Sequence, residues 1–326
     1  MKKQETVAGI DIGGTNTAWG ITDLSGKIIS KSSFKTKSHA GFAGYSAELA
    51  ATILKEADRL NVALTGVGIG APNANYYTGN IEKAANLAWK GNLPLRRAME
   101  EKLGVKVTVT NDANAAALGE MLFGAARGMK NFIMLTLGTG VGSGIVTDGK
   151  LIYGHTGYAA ELGHLIMVPG GRECGCGREG CLETYASAVG IARTASQLLA
   201  EMRAESSLRK YPPGELNSRM IAESAEKGDP IAIEAFNFTA EMLAIAISNA
   251  VAFTSPEAII LSGGLARAGK LLTEPLAKHM KEYIMPVFSD TFKIIQTALP
   301  ESDAAILGAA ALAISETGKN SDSYIA

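Results

Sequence analysis

Short apolar runs alternate along this chain with longer segments whose apolar residues recur at helical spacing. Apolar runs of about four to eight residues are typical of buried strands, and the longer periodic segments are typical of amphipathic helices. The alternation of the two predicts an α/β fold. The predicted strands lie at 28–34, 67–70, 105–110 and 258–261, and the predicted helices lie at 42–60, 113–123, 231–253 and 303–315.

The same strand, glycine turn and returning strand occur twice, about one domain apart. The first copy turns at Asp11-Ile12-Gly13-Gly14-Thr15 and the second at Leu137-Gly138-Thr139-Gly140-Val141-Gly142. The backbone amides of such turns can be approached closely and can bind phosphate. Either turn alone could be no more than a tight hairpin. Together the two turns favour a clamp for the phosphates of a nucleotide.

Composition limits the class of protein. The chain has 326 residues, 47% of them hydrophobic and 19% charged, with a formal net charge of −1. This length predicts about two domains with sizeable cores. Near-neutrality gives no electrostatic reason to expect nucleic acid or an anionic membrane as a partner. The most apolar stretches, 242–253 and 304–314, are too short to span a bilayer, so we expect a cytoplasmic protein.

The three cysteines of the chain lie together in one glycine-rich segment. They are Cys174, Cys176 and Cys181, and His164 precedes the first of them by ten positions. Three thiolates and one imidazole complete a tetrahedral zinc site, and the glycines let a short loop wrap the ion. An odd number of cysteines in a chain expected to be cytosolic disfavours a disulfide framework. Because no coordination position stays open, we expect a structural zinc.

Five motifs occur in the order found in ROK-family sugar kinases. They are Asp11-Ile12-Gly13-Gly14-Thr15, Asn111-Asp112-Ala113-Asn114, Leu137-Gly138-Thr139-Gly140-Val141-Gly142, Glu161-Leu162-Gly163-His164, and the cysteine motif from Cys174 to Glu183. The chain resembles that family over nearly its whole length, and most resembles its bacterial glucokinases. It departs from the common pattern at Asn16, where lysine is frequent, and at Asn73, where glycine is frequent.

The resemblance implies the actin-like ATPase fold, which is ribonuclease H-like: two duplicated α/β domains with ATP and a sugar in the cleft between them. We expect a small N-terminal domain over residues 1–112, completed by a C-terminal helix within 303–326. The large domain then covers 113–302 and carries the zinc loop at 164–183. We also expect a homodimer or a homotetramer.

Asp112 is the candidate catalytic residue. It follows the apolar strand 105–109 and precedes a helix, which places its carboxylate at the crevice end of a sheet. We assign it as the general base for the attacking sugar hydroxyl. Its position also fits a helix N-cap, and only the resemblance favours catalysis. Asp11 ends the first strand beside the phosphate turn, where Mg²⁺ would relieve repulsion between its carboxylate and the nucleotide.

The other candidate site residues fall into two groups. The nucleotide and its Mg²⁺ are expected at Asp11, Gly13, Gly14, Thr15, Asn16, Gly138, Thr139, Gly140, Val141, Gly142, Gly263 and Gly264. Buried sugar hydroxyls need directed partners. The resemblance implies sugar contacts at Asn111, Asp112, Glu161, His164 and Glu183, with Asn86 as a weaker candidate. His164 could bind zinc through one ring nitrogen and a sugar hydroxyl through the other.

These features predict ATP-dependent phosphorylation of a hexose, glucose to glucose 6-phosphate, as in glycolysis. N-acetylmannosamine, N-acetylglucosamine or another hexose is the alternative substrate. ROK-type transcriptional repressors are a different class, with a winged-helix domain before the first phosphate strand, whereas Asp11 lies near the start of this chain. A catalytically silent sugar sensor is disfavoured because Asp112 and both phosphate turns are present.

Overall fold

The computed structural model describes residues 3–38, 41–83, 87, 89–212 and 214–316. Its strands are β1 (Gln4–Ile12), β2 (Asn16–Thr22), β3 (Ile28–Lys35), β4 (Val62–Gly70), β5 (Ile81–Glu82), β6 (Asn92–Leu93), β7 (Val107–Thr110), β8 (Phe132–Leu137), β9 (Val141–Thr147), β10 (Lys150–Leu151), β11 (Ala258–Ser262) and β12 (Lys293–Gln296). Its helices are α1 (Phe42–Leu60), α2 (Leu95–Leu103), α3 (Asp112–Phe123), α4 (Glu183–Ala186), α5 (Ala188–Glu201), α6 (Ser218–Ala225), α7 (Pro230–Thr254), α8 (Lys270–Tyr283) and α9 (Glu301–Glu316).

Two five-stranded sheets share one strand order. The first is β3-β2-β1-β4-β7 and the second is β10-β9-β8-β11-β12. In the first sheet β1, β2 and β3 pair antiparallel, while β4 and β7 add in parallel. In the second, β10 pairs antiparallel with β9, while β8, β11 and β12 are parallel. The duplication predicted from the two glycine turns is therefore a duplication of whole sheets.

The chain divides into two compact units. Unit 1 comprises Met1–Lys130, Gly144–Ala160 and Thr297–Ala326, and unit 2 comprises Asn131–Ser143 and Glu161–Gln296. This division differs from the predicted boundary at residue 112, because α3 packs against α9 and so belongs to unit 1.

Helix α9 lies on the sheet of unit 1, against β1 and β4. Two strand glycines permit this approach. A Cβ on Gly9 would collide with the carbonyl oxygen of Ile306, and one on Gly68 would collide with the carbonyl oxygen of Ala309. Helix α9 thus packs into the same core as β1, although the two are far apart in sequence.

Helix α7 is longer than the apolar stretch 242–253, which is too short to span a bilayer. It runs for 25 residues, and among the described residues it is the one helix long and apolar enough to cross a membrane. Asp229 begins it as N-cap, with its carboxylate accepting from the amides of Ile231 and Ala232. Because 67% of its most apolar window is buried inside the protein, α7 is typical of a core helix.

Candidate active site

Two aspartates lie at the carboxyl ends of β1 and β7, the parallel strands on either side of β4 in unit 1. Asp11 pairs with Gly70 between β1 and β4, and Gly70 pairs with Thr110 between β4 and β7. Asp112 follows two residues after Thr110, as the first residue of α3. The strand ends therefore bring the two carboxylates to one edge of the sheet, where α/β proteins bind ligands.

Both aspartates have raised pKa values. Burial raises the pKa of Asp11 from 3.8 to about 6, and the charge of Asp112 adds to the effect. Crowding by surrounding protein also raises the pKa of Asp112. Part of Asp112 nevertheless stays open to solvent, so its carboxyl is surrounded by protein and still reachable by a small molecule. Such a pair is typical of an acid–base or cation-binding site.

Asn111, rather than Asp112, is the cap of α3. The side-chain oxygen of Asn111 accepts a hydrogen bond from the amide of Asn114 at 2.7 Å. The Asp112 carboxylate accepts from the amide of its neighbour, Ala113, at 2.8 Å. The capping role that the sequence also allowed for Asp112 is thus filled by the residue before it, which leaves an oxygen of Asp112 for another partner.

Asn114 ends the motif that contains Asp112, and the motif alone assigned it no role. Its buried side-chain amide donates to the Thr110 hydroxyl at 3.3 Å, which ties the end of β7 to the first turn of α3. A polar residue in an alanine-rich, buried turn is the signal that could have singled it out. Asn114 therefore holds the junction that carries Asp112.

The first glycine turn is closed by its own backbone. The amide of Gly13 donates to the carbonyl oxygen of Asn16 at 2.9 Å, and the Thr36 hydroxyl donates to the carbonyl oxygen of Gly13 at 2.8 Å. Among the described residues, the amides of Gly14 and Thr15 make no backbone hydrogen bond. Gly13 therefore shapes the turn, while the next two amides are the donors suited to a phosphate.

The second glycine turn lies in unit 2, at the start of α5. The amide of Gly138 donates to the carbonyl oxygen of Gly140 at 3.0 Å, and the carbonyl oxygen of Gly138 accepts from the amide of Ala188 at 2.8 Å. Ser187 caps α5 by accepting from the amide of Gly190 at 3.0 Å. The positive end of this helix therefore lies beside the turn, which favours an anion there.

Gly263 and Gly264 lie next to the second turn. Gly263 has a φ of +91°, and a Cβ on it would lie 2.6 Å from the carbonyl oxygen of Leu137. The amide of Leu265 donates to that same oxygen at 3.0 Å. Only glycine fits this backbone at such a distance. The predicted nucleotide-binding segments thus form two clusters. The turn at Gly13 lies in unit 1, and the turn at Gly138 lies with Gly263 and Gly264 in unit 2.

Glu161 and His164 lie on the loop that follows β10, and Glu183 begins α4. The amide of His164 donates to the carbonyl oxygen of Glu161 at 3.0 Å, which closes one short helical turn. A Cβ on Gly140 would collide with Oε2 of Glu183, so the second glycine turn passes directly beside that carboxylate. His164 Nδ1 lies 3.7 Å from Glu183 Oε1. The structure therefore brings His164 and Glu183 together.

The cysteines and His164 form one compact cluster of potential ligands. Their four ligand atoms all lie within 4.8 Å of one another. Cys176 Sγ lies 3.7 Å from Cys181 Sγ, and Cys174 Sγ lies 3.6 Å from His164 Nδ1. Zinc–sulfur bonds of about 2.3 Å in a tetrahedron place the sulfurs about 3.8 Å apart. The donor set and its spacing fit a zinc ion.

The cluster is wrapped by a tight loop. The amide of Cys174 donates to the carbonyl oxygen of Arg178 at 2.9 Å, and Gly177 takes a φ of +86° to close the turn. Cys174 Sγ donates to Glu183 Oε1 at 3.0 Å. The cluster thus includes one candidate sugar contact, His164, and touches another, Glu183.

Three asparagines that the sequence singled out lie elsewhere. Asn16 is an exposed residue that begins β2. Asn73 takes a left-handed φ of +53°, which explains why glycine is frequent there and why asparagine is tolerated. Asn86, the weaker sugar candidate, lies outside the described residues.

The model of the ROK family matches residues 7–316 of this chain. The chain belongs to the ROK family. It is 36% identical over 306 residues to the glucokinase of Halalkalibacterium halodurans, with 92% of each chain covered. As an ROK protein, it has the α/β fold of the actin-like ATPase type that we expected.

Solved structures of ROK proteins include both enzymes and regulators. One is the ROK family glucokinase from Streptomyces griseus in complex with glucose and AMPPNP, with a TM-score of 0.78, 33% identity, and 94% of this chain and 99% of that chain covered. Another is an ROK family transcriptional regulator, a homologue of the Escherichia coli MLC protein, with a TM-score of 0.84, 26% identity, and 96% and 78% covered.

Proposed function

We propose that this chain is an ATP-dependent sugar kinase that converts glucose to glucose 6-phosphate. The observation that carries the proposal is the pair Asp11 and Asp112 at the ends of parallel strands, in a chain 36% identical to a glucokinase over 92% of its length. The glucokinase from Streptomyces griseus, which binds glucose and the ATP analogue AMPPNP, supports the same activity.

Asp112 acts as the general base. Transfer of a phosphoryl group to a sugar hydroxyl needs a proton acceptor aligned with the attacking oxygen. The raised pKa of Asp112 makes its carboxylate a stronger acceptor than an ordinary aspartate, and its partial exposure lets a substrate hydroxyl reach it. Asn111 and Asn114 hold the turn that aims it.

Asp11 holds the magnesium ion that accompanies ATP. A half-buried carboxylate with a pKa of about 6, near a second carboxylate, suits a hard divalent cation. When bound, Mg²⁺ neutralises charge on the phosphates. The amides of Gly14 and Thr15, and the turn at the start of α5, are the donors we assign to phosphate oxygens.

The sugar is held by Asn111, Asp112, Glu161, His164 and Glu183. A zinc ion on His164, Cys174, Cys176 and Cys181 fixes the loop, and its chemistry is structural because all four positions are filled by protein. His164 faces the thiols through Nδ1, which leaves Nε2 for a sugar hydroxyl. We also propose a cytoplasmic homodimer or homotetramer.

A coupled assay of ATP consumption across hexoses tests the proposal. We expect turnover with glucose, and kcat/KM for glucose above that for N-acetylmannosamine, N-acetylglucosamine, mannose and fructose. If kcat/KM for N-acetylmannosamine is more than about tenfold above that for glucose, the protein is instead a hexosamine kinase. A tenfold ratio corresponds to about 1.4 kcal/mol in transition-state binding.

A sugar-responsive regulator is the second candidate, because the ROK regulator structure has a TM-score of 0.84. A regulator without catalysis would bind sugar and consume no ATP with any hexose. The same assay, accompanied by calorimetric sugar binding, therefore separates the two classes.

A further inference from the structure

Unit 1 contains a cavity of about 560 Å³ that is lined by none of the residues assigned above to ATP, sugar or zinc. Its walls come from the second half of α3, the end of α9 and the hairpin that leads into β10. The apolar wall residues include Leu118, Met121, Leu122, Leu151 and Ile314. A concave, mainly apolar cavity of this size is typical of sites for small organic molecules.

One side of the cavity is a flat aromatic surface. The rings of Tyr76 and Tyr153 stack with centroids 3.9 Å apart and planes 10° apart. The Tyr76 hydroxyl donates to Glu316 at 2.6 Å, and Lys106 pairs with the same carboxylate at 3.0 Å. These bonds hold the ring pair in place, so a planar ligand would meet a prepared surface.

The rim of the cavity carries a cation suited to an acidic ligand group. Lys150 is exposed in β10 and lines the cavity. Among the described residues it makes no ion pair, whereas the nearby Glu316 carboxylate is already held by Lys106 and Tyr76. Lys130 and Asp148 also line the cavity and carry opposite charges, so the charge in excess among the lining side chains is that of Lys150.

The cavity is also coupled to the proposed catalytic base through α3. That helix begins at Asp112 and forms the cavity wall from Leu118 onward, about two turns later. Tyr153, another lining residue, lies close to Thr110, the residue that Asn114 also contacts. A molecule in the cavity would therefore press on both elements that position Asp112.

We propose that this cavity is a regulatory site for a small amphipathic anion, with a planar apolar body against Tyr76 and Tyr153 and one acidic group paired with Lys150. The thioethers of Met121 and Met129 let the wall adapt to the shape of the apolar body. Binding at this site changes kcat through α3 and leaves the nucleotide and sugar residues free.

The binding test compares a charged probe with its neutral parent. The probe is 8-anilinonaphthalene-1-sulfonate, and the parent is N-phenyl-1-naphthylamine, which lacks the sulfonate. Both are titrated by fluorescence against the full chain. We expect one saturable site for each, about tenfold weaker for the sulfonate in Lys150→Glu and unchanged for the parent. Lys102→Glu, an exposed charge reversal on α2 at a residue that does not line the cavity, is the matched control.

Several results would overturn the site. They are an equal loss of sulfonate binding in Lys150→Glu and Lys102→Glu, displacement of the probe by glucose or AMPPNP, and undiminished binding in Met121→Trp, which fills the cavity. Circular dichroism on each variant verifies that it is folded.

The regulatory role rests on the proposed kinase activity and is tested separately. At a probe concentration that just saturates the wild type, we expect kcat with glucose to change at least twofold in the wild type and in Lys102→Glu, and to change clearly less in Lys150→Glu. An unchanged kcat in the wild type, with the binding results intact, would overturn regulation. Absence of any hexose kinase activity would instead contradict the proposed function and leave the fluorescence result standing.

Discussion

Asp112 combines two properties that favour catalysis: its carboxyl is crowded by protein and yet partly open to solvent. Because Asn111 already caps α3, Asp112 has no structural duty that an amide could not fulfil. We therefore expect Asp112→Asn to lower kcat by about 10²-fold or more, while glucose and ATP still bind.

The measurements for Asp112→Asn are kcat, calorimetric binding of both substrates and Tm. Loss of a charge beside Asp11 should leave Tm unchanged or raise it. A variant that keeps more than about a tenth of the wild-type kcat would show that another group accepts the proton.

Asp11 makes stability depend on pH. Its pKa is raised from 3.8 to about 6 in the folded protein, so the folded state holds the proton more tightly than the unfolded state. Stability from this group is therefore present at low pH and falls as pH rises through about 6. Asp11→Asn lacks this titration.

We expect the Tm of Asp11→Asn minus that of the wild type to increase between about pH 4 and pH 7, measured without Mg²⁺ by differential scanning calorimetry. The stabilisation by Mg²⁺ at neutral pH should be smaller in the variant. A Tm difference that stays constant with pH would contradict the raised pKa.

At the scale of single elements, the start of α3 depends on its cap. Asn111→Ala removes the acceptor for the Asn114 amide and should cost about 1 kcal/mol in the free energy of unfolding. Asn111→Asp keeps an acceptor at the same place and should cost much less. Urea unfolding of both variants measures the difference, and equal losses would argue against a capping role.

The cysteine loop is the second element with a testable role. Cys176→Ser removes one of four clustered ligand atoms, so we expect loss of bound zinc, a higher KM for glucose and lower stability. Nucleotide affinity should survive, because the turns at Gly14 and Gly138 lie outside the loop. Zinc content, KM for glucose and ATP, and Tm are measured.

The matched control for the cysteine loop is Glu179→Gln, an exposed change between two of the ligands that alters no ligand atom. It should keep zinc and the glucose KM. If the Cys176→Ser protein lacks zinc and keeps wild-type glucose kinetics, the metal does not position the sugar contacts.

At the scale of the whole molecule, α9 joins the last part of the chain to the first strand. Gly68→Ala places a Cβ where the Ala309 carbonyl oxygen lies. Because the clashing atoms are backbone, no side-chain rotation can remove the collision. We expect a loss of about 3 kcal/mol or more in the free energy of unfolding, or failure to fold.

Gly44→Ala is the control for this substitution. Gly44 is exposed in α1 and a Cβ there meets nothing within 4 Å, so alanine should stabilise by about 0.5–1 kcal/mol. Denaturant midpoints compare the two variants. A Gly68→Ala protein as stable as Gly44→Ala would mean that α9 does not pack on β4 as described.

Local patterns predicted some elements well and others poorly. The amphipathic period of α1 predicted its bounds, 42–60, as observed. Strand β4 begins five residues before its predicted start, because Val62 to Leu64 pair with the beginning of β1. Helix α8, with Pro275 inside it, and the edge strand β12 were not predicted, because neither has a continuous apolar run.

The sequence by itself determined the duplicated sheets, the family, and the grouping of His164 with the three cysteines, because each is encoded by residues close together in the chain or by a repeated motif. Only the tertiary structure decided that α3 belongs with α9, that Asp11 and Asp112 lie at the same edge of one sheet, and that Glu183 lies against Gly140. Those contacts join residues far apart in sequence. They are determined by strand register and by close approach of the backbone, and no local sequence pattern contains either.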